Sequence, residues 1–242
     1  MLDDVLSALL SLVIALVAAI PLGGFLKKRP LPFYIVAALL AGAYLFYRFG
    51  GMYNQGVQVI AGVVSKGYLA CALLAIVMFI GVFDETSPIR RKLQPIRAEL
   101  SILSFILILG HAIAYLPSYL PQLKVIFSAR LNLAVSITVA FVLIVVFAVL
   151  ALTSLRVLRA KMPYRVWKGI QRMSYLMVAL LYLHIMLALG RSAFVGAGSE
   201  SVRFALVVYS VLVVLYAVLR IRKAVRDGHK RVSGEDSAAQ QV

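Results

Sequence analysis

Long apolar stretches alternate with short polar segments along the whole chain. Each apolar stretch holds about 20 residues, the length that an α-helix needs to cross a hydrocarbon core of about 30 Å. Residues Gly56–Val64 are also mostly apolar and indicate an interfacial approach to the third stretch. The pattern predicts an all-α, polytopic membrane helix bundle of about seven transmembrane helices: Val5–Leu26, Leu31–Phe49, Gly67–Phe83, Leu100–Leu120, Leu131–Leu155, Ile170–Leu189 and Val202–Ile221.

The composition agrees with a membrane protein. Of the 242 residues, 63% are hydrophobic and 14% are charged, and the mean hydropathy is +0.97. A soluble domain has about 45–50% apolar and about 25% charged residues, so the soluble, disordered and collagen-like classes are excluded. The single cysteine, Cys71, excludes an intrachain disulfide. The net charge of +16 comes from residues between the apolar segments, which favours membrane anchoring over nucleic-acid binding.

The basic residues predict the orientation of the bundle. Nineteen of the 25 Lys and Arg residues lie at or after the ends of the first, third, fifth and seventh predicted helices. The positive-inside rule therefore predicts an N-terminus outside and a C-terminus in the cytoplasm of a bacterial-type inner membrane. The leader before the first helix is acidic and its basic cluster follows the apolar stretch, so this helix is not expected to be a cleaved signal peptide. Residues 226–242 are polar and predict a disordered cytoplasmic tail.

Two histidines lie inside predicted membrane helices, where an ionisable side chain is costly and indicates a functional site. His111 lies 14 residues beyond Arg97, and His184 lies 13 residues beyond Gln171. At about 1.5 Å per residue, both are about 20 Å from the inner ends of helices that run in the same direction. Two imidazoles facing each other at one depth are the axial ligands of a six-coordinate haem iron. The spacing predicts His111 and His184 as metal ligands.

An alternative role for these histidines stays open, because polar side chains in membranes also form hydrogen bonds between helices. Small residues beside His111 would let a flat macrocycle approach its helix, but small residues also serve helix packing. These small residues are Gly110, Ala112 and Ala114. The third histidine, His229, lies in the polar tail and is expected to be solvated.

Other chemistry has little support in the sequence. The chain carries no nucleotide-binding glycine motif and no CxxC or HExxH spacing. It also lacks the buried acids or matched helix interruptions that are typical of proton-coupled transporters. Glu99 lies at the inner boundary and is expected to pair with a nearby arginine. Two other function classes stay open: a haem-free membrane scaffold that docks a partner, and a small-solute transporter.

Three segments of the chain resemble the ferric-reductase-like transmembrane domain family. They are RAELSILSFILILGHAIAY from Arg97 to Tyr115, LALTS from Leu150 to Ser154, and WKGIQRMSYLMVALLYLH from Trp167 to His184. Within that family the chain is similar to the haem-binding membrane subunit of the periplasmic methionine sulfoxide reductase system. The resemblance implies a haem-binding domain over residues 67–225, with extra transmembrane helices over residues 1–66.

The resemblance also implies which residues bind haem. His111 and His184 match the ligands of the outer haem of the family. An inner haem would need histidines at two further positions, which in this chain hold Gln171 and Arg97. Glutamine is a poor haem ligand and arginine is not one, so the resemblance implies a single haem b.

The implied activity is electron transfer across the membrane. A b-type cytochrome subunit of this kind relays electrons from a cytoplasmic-side flavin or quinol, through haem, to an extracytoplasmic acceptor or a partner reductase or flavoprotein. The protein supplies ligation and burial, while the redox chemistry belongs to the cofactor. Four side chains at the inner boundary are expected either to bind an FMN phosphate, a quinone or a haem propionate, or only to anchor the bundle: Arg97, Arg156, Trp167 and Arg172.

Overall fold

A computed structural model describes residues 2–50, 55–194 and 200–239 of the chain. Those ranges contain helices and connecting turns but no strand, so the predicted all-α class is confirmed. The helices are α1 (Leu2–Ala19), α2 (Gly23–Lys28), α3 (Leu31–Gly50), α4 (Gln55–Val64), α5 (Tyr68–Ile80), α6 (Pro88–Leu93), α7 (Arg97–Tyr119), α8 (Leu123–Ala129), α9 (Leu131–Ser154), α10 (Arg156–Ala160), α11 (Tyr164–Arg172), α12 (Ser174–Phe194) and α13 (Glu200–Ala239).

The helices include enough long apolar stretches for a multi-pass membrane protein. Within the described residues, six stretches are long and apolar enough to cross a bilayer, and they correspond to the second to seventh predicted helices. The first predicted helix is present as a shorter apolar helix, Val5–Ala19, and the chain turns after it at Pro21, which has no N–H to continue the helix. The six stretches are Leu31–Gly50, Gln58–Ile80, Pro88–Ala129, Leu131–Ser154, Tyr164–Gly190 and Val202–His229.

Contacts among the basic segments define one end of the bundle, which we call the basic end. The Arg156 guanidinium donates hydrogen bonds to the carbonyl of Lys27 and to Oε1 of Glu99, the latter at 2.8 Å. Arg226 forms an ion pair with Asp84. The first contact joins the segment after α9 to the segment after α1, and the ion pair joins α13 to the segment after α5. The basic segments therefore lie at the same end of the bundle, as expected for a chain whose successive membrane helices run in alternating directions.

The expected pairing of Glu99 with an arginine is confirmed. The Glu99 side chain is only 6% exposed, and its Oε1 lies 2.8 Å from Nη2 of Arg156. The hydrogen bond and the negative charge of Glu99 raise the pKa of Arg156 above its ordinary value. A buried carboxylate without that partner would be costly, so this pair helps to hold α10 against the start of α7.

Helices α5 and α7 lie at the centre of the bundle because both clusters of buried and partly buried apolar side chains include them. One cluster is built from α1, α3, α4, α5 and α7, and the other from α5, α7, α9 and α12. Two hydroxyls add contacts between helices: Ser11 donates to the carbonyl of Val63 at 3.1 Å, and Ser104 donates to the carbonyl of Ala70 at 2.7 Å. Helix α13 packs beside α12, where the hydroxyls of Tyr182 and Ser210 lie 3.0 Å apart.

One membrane-length stretch is broken in its interior. The chain turns sharply between α4 and α5, where Lys66 has a φ of 53° and Gly67 a φ of 75°. Both values lie in the left-handed region, which glycine adopts without steric cost. The apolar segment Gly56–Val64 is therefore a helix, α4, set off by a kink from α5.

Two helix ends differ from the sequence prediction. The sixth predicted helix begins at Ile170, but the helical path changes at Met173, so α11 and α12 are separate elements. Helix α13 continues to Ala239, whereas the sequence predicts disorder from residue 226. Residues 200–239 contain no proline, and the Arg226–Asp84 ion pair ties the first part of that extension to the bundle.

Candidate functional site

His184 is held against α9 by a contact with the backbone. Its Nδ1 lies 3.3 Å from the carbonyl oxygen of Ser136 and 3.5 Å from the Ser136 hydroxyl. In the tautomer that carries its proton on Nδ1, the imidazole donates to that carbonyl and leaves the lone pair of Nε2 available. Metal-ligating histidines usually have a carbonyl or carboxylate partner of this kind, which fixes the ring and its tautomer.

His111 lies on α7 against the break between α4 and α5. A side-chain carbon placed at Gly67 would lie 3.9 Å from Cγ and Nδ1 of the His111 ring, an ordinary contact distance, so the start of α5 lies beside the imidazole. The ring of Tyr115 lies 4.8 Å from that of His111, centroid to centroid. The Nδ1 atom of His111 is buried and has no hydrogen-bond partner in the described part of the chain.

The two histidines lie at similar levels in the bundle. Ile108 and Leu181, each three residues before one of the histidines, line the same cavity of about 30 Å³. The cavity lies between α5, α7, α9 and α12, and its other lining residues include Leu143 and Phe147. Since three residues are about one helical turn, both imidazoles lie about one turn beyond the cavity.

The chemistry of this pair suits a haem iron better than a bare metal ion. Within the described ranges, no three His, Cys, Asp or Glu side chains are grouped to hold a metal. A haem iron already has four porphyrin nitrogens and needs only two axial ligands, for which two imidazoles are well suited. The apolar cavity is much smaller than a porphyrin, so Ile108 and Leu181 would have to move apart to admit the macrocycle.

The small residues beside His111 serve helix packing in this structure. A side-chain carbon at Gly110 would lie 2.8 Å from Cβ and 3.3 Å from Cα of Ala41, so the glycine lets α7 and α3 approach closely. Ala114 is 1% exposed and belongs to the apolar cluster that α7 shares with α3 and α5. Of the two roles that the sequence left open for these residues, Gly110 and Ala114 have the packing role.

Gln171 and Trp167 contact the basic end of α9. The Gln171 amide donates to the Thr153 hydroxyl at 3.1 Å and to the carbonyl of Leu150 at 3.4 Å, and the Trp167 indole donates to the carbonyl of Thr153 at 3.1 Å. The Arg159 guanidinium lies 4.3 Å above the Trp167 ring. These contacts tie the amphipathic helix α11 to α9 at the position where the family would have an inner haem ligand.

Arg97 and Arg172 do not share the surroundings of Gln171 and Trp167, and they also lie apart from each other. Arg97, at the start of α7, is half-buried and interacts electrostatically with Tyr175, Tyr216 and Arg220 of α12 and α13. Arg172, at the end of α11, is exposed. The structure therefore places His111 and His184 at one level but divides the predicted inner-boundary residues among four places, since Arg156 pairs with Glu99.

Some residues of these sites were missed by sequence reasoning. Ser136 supplies the contact to His184, Gly67 lies beside His111 at the break between α4 and α5, and Tyr175 holds Arg220. A signal existed for Gly67, because Lys66 and Gly67 interrupt an otherwise apolar run. Ser136 and Tyr175 carry no comparable signal, because a serine or tyrosine in an apolar helix does not reveal which neighbour it meets.

More than half of the chain matches a known family of membrane proteins. Residues 66–196, which include both histidines, match the family described as "Ferric reductase like transmembrane component". An uncharacterized protein of Treponema pallidum (strain Nichols) is 32% identical over 222 residues, which are 90% of this chain and 61% of that protein. The chain thus spans less than two thirds of the length of this relative. No solved structure matches the chain. On the family match, which covers more than half of its residues, the chain belongs to the ferric reductase like transmembrane components.

Proposed function

We propose that this chain is a b-type cytochrome subunit that carries electrons through one haem from a flavin or quinol at the basic end to an acceptor on the other side. The acceptor is an extracytoplasmic redox partner such as a reductase or flavoprotein. Family membership supports the coarser statement that the chain is a membrane electron-transfer component. The presence of haem and the identities of the electron donor and acceptor go beyond family membership and are our proposal.

The observation that carries the proposal is the unequal state of two histidines at one level. His184 has its Nδ1 placed against the Ser136 carbonyl, which orients the ring and leaves Nε2 free to ligate. His111 has a buried Nδ1 with no partner among the described residues. A buried imidazole with no protein partner is costly, and coordination of a ligand by this ring would offset that cost. A pair used only for packing would be expected to satisfy both rings.

In this proposal the chain holds the haem and tunes it. His111 and His184 ligate the iron from α7 and α12, and the bound haem supplies one-electron redox chemistry. The Ser136 carbonyl fixes the orientation of the His184 ring. Apolar side chains such as Leu143 and Phe147 line the space toward the basic end and exclude water from it.

A single haem is proposed because the second position is occupied by protein contacts. The amide of Gln171 is engaged with Thr153 and Leu150, and Arg97 lies toward α12 and α13. No histidine lies near either residue in the sequence. The basic end of the bundle therefore has no pair of imidazoles for an inner haem.

Electrons are proposed to enter at the basic end, which the positive-inside rule assigns to the cytoplasm. About 20 Å of helix separates this end from the histidines, so a small carrier has to bridge the distance. The exposed Arg172 and the half-buried Trp167 on α11 offer a cation and an aromatic ring to a flavin or quinol head group. Arg156 is excluded from that role because it pairs with Glu99.

The decisive experiment is an absorption spectrum of the full chain purified from a haem-producing host. A cytochrome shows a Soret band that shifts on reduction with dithionite, together with an α-band. A colourless protein that is helical and monodisperse would contradict the proposal and favour a haem-free scaffold. Substrate uptake by vesicles that contain the colourless protein would favour a transporter instead.

Electron entry is tested by reducing the haem in sealed vesicles with reduced FMN or with a short-chain quinol. We expect Arg172→Ala to slow reduction by one of these donors several-fold without changing the haem content. The matched control is Arg165→Ala, which removes another exposed cation from α11. Equal rates in the two variants would leave Arg172 as an anchor of the bundle and would reject this entry site.

A further inference from the structure

An open groove of about 300 Å³ lies between α12 and α13 on the outside of the bundle. Apolar side chains line most of it, including Val178 and Ala179 of α12 and Val213 and Ala217 of α13. Towards the basic end the lining changes to Tyr175, Tyr216 and Arg220. Residues 213 and 220 are about 10 Å apart along the helix axis, so the groove is apolar at one end and cationic at the other.

Arg220 is held in place at the cationic end. Its Nε donates to the Tyr175 hydroxyl at 2.9 Å, its Nη2 donates to the same hydroxyl, and its Nη1 donates to the carbonyl of Gly81 at 2.7 Å. A guanidinium has five N–H donors, so two remain for another acceptor. The positive charge is fixed at the mouth of the groove without being neutralised.

The cationic end has more positive charge than its own carboxylates neutralise. Two carboxylates near this end are already paired, Asp84 with Arg226 and Glu85 with Arg90. A third carboxylate, Asp227, acts on Lys223, and neither Arg97 nor Arg220 is in an ion pair with a carboxylate within the described residues. Arg97 lies within electrostatic range of Arg220, at a boundary where positive charge is expensive to leave unpaired.

We propose that this groove binds one anionic phospholipid. The phosphate accepts hydrogen bonds from Arg97 and from the free donors of Arg220, while an acyl chain lies over Val178, Ala179, Val213 and Ala217. Charge complementarity favours this occupant over a neutral one, because basic pockets between transmembrane helices recognise anionic head groups. Arginine suits a phosphate because it presents two parallel donors. This inference does not depend on the haem proposal.

The test is the association of spin-labelled phosphatidylglycerol with the full chain in phosphatidylcholine vesicles, at about 0.15 M salt. Electron spin resonance gives the motionally restricted fraction, with spin-labelled phosphatidylcholine as the reference lipid. We expect the wild-type chain to prefer phosphatidylglycerol and Arg97→Gln to lower this preference about fivefold, the contribution of one basic residue near a membrane surface. Arg165→Gln removes an exposed cation elsewhere on the basic end and should have a smaller effect.

A second pair of variants tests the groove without changing charge. Ala217→Phe fills the groove and should also lower the preference several-fold, whereas Val218→Phe on the neighbouring lipid-exposed position should not. The proposal is overturned if neither Arg97→Gln nor Ala217→Phe changes the preference, or if Arg97→Gln and Arg165→Gln have the same effect. Displacement of the bound lipid by a short-chain quinol would make the groove a quinol site and would also overturn it.

Discussion

The bundle has polar side chains at two levels, the histidine level of α7 and α12 and the basic end, where α11 meets α9, and the two levels differ in which polar atoms have partners. At the histidine level, His184 contacts Ser136 but His111 has a buried nitrogen without a partner in the described structure. At the basic end, Gln171 and Trp167 both donate to the end of α9. Glu99, also at the basic end, has its Oε1 paired with Arg156 but its Oε2 buried without a partner in the described structure. Because buried polar groups are normally paired, each level leaves one group open: an imidazole nitrogen at the histidine level, and at the basic end an oxygen of a carboxylate that already has a cation beside it.

The largest effect is expected from the histidines themselves. His111→Ala and His184→Ala should each abolish haem binding, because each removes one of two axial ligands from a buried iron. The Soret band of the purified variants measures retention, and circular dichroism checks that the helices remain. His229→Ala, far from the histidine level along α13, is the control. Full haem occupancy in either single variant would reject the pair as ligands.

Gly110→Ala tests whether the small residue beside His111 serves packing. The new carbon would lie 2.8 Å from Cβ of Ala41, so we expect the chain to lose about 1–3 kcal/mol by overpacking while keeping its haem. Chemical denaturation in detergent measures the loss. Gly42→Ala is the matched control, because nothing lies within 4 Å of its added carbon, and Ala41→Gly should restore the Gly110→Ala variant. A loss of haem without a loss of stability would indicate that the macrocycle lies against Gly110.

Ser136→Ala should have a modest effect on the haem. The backbone carbonyl, which the variant keeps, is 3.3 Å from His184 Nδ1, whereas the hydroxyl that it removes is 3.5 Å away. We expect haem affinity to fall by less than about tenfold, the lower end of the range for the loss of a ligand's supporting contact. Haem transfer to apomyoglobin measures the affinity. Thr138→Ala, whose hydroxyl bonds within its own helix, should leave the affinity unchanged, and a larger loss in that variant would show that the Ser136 effect is not specific.

The smallest effect is expected at the basic end. Gln171→His restores the histidine of the family pattern, yet we expect the haem content to stay at about one per chain, because no partner imidazole faces that position. A pyridine haemochrome assay with a protein determination gives the ratio. Two haems per chain in the variant would remove the distinction between the two levels, and two in the wild-type chain would show that Gln171 does not prevent an inner haem.

Much of the architecture follows from the sequence, because it depends on local quantities. The length of each apolar stretch predicts a membrane helix, and six of the seven predictions correspond to helices of sufficient length. The histidines stand out because ionisable groups are rare inside membrane helices. Pairing of Glu99 with an arginine also follows, since a carboxylate at the boundary of a basic segment has few other options.

The tertiary structure decided which neighbours those residues meet. Sequence patterns place Arg97, Gln171 and Arg172 at one depth but do not give the rotation of each helix about its axis. The break at Met173 separates α11 from α12, and so Gln171 turns toward α9 while Tyr175 meets Arg220. Likewise, the approach of Gly110 to Ala41 depends on a contact between residues 69 positions apart. The depth and charge of a residue follow from its own segment of the sequence. The neighbour that its side chain meets depends on how each helix is rotated about its axis, and only the packing of the helices decides that rotation.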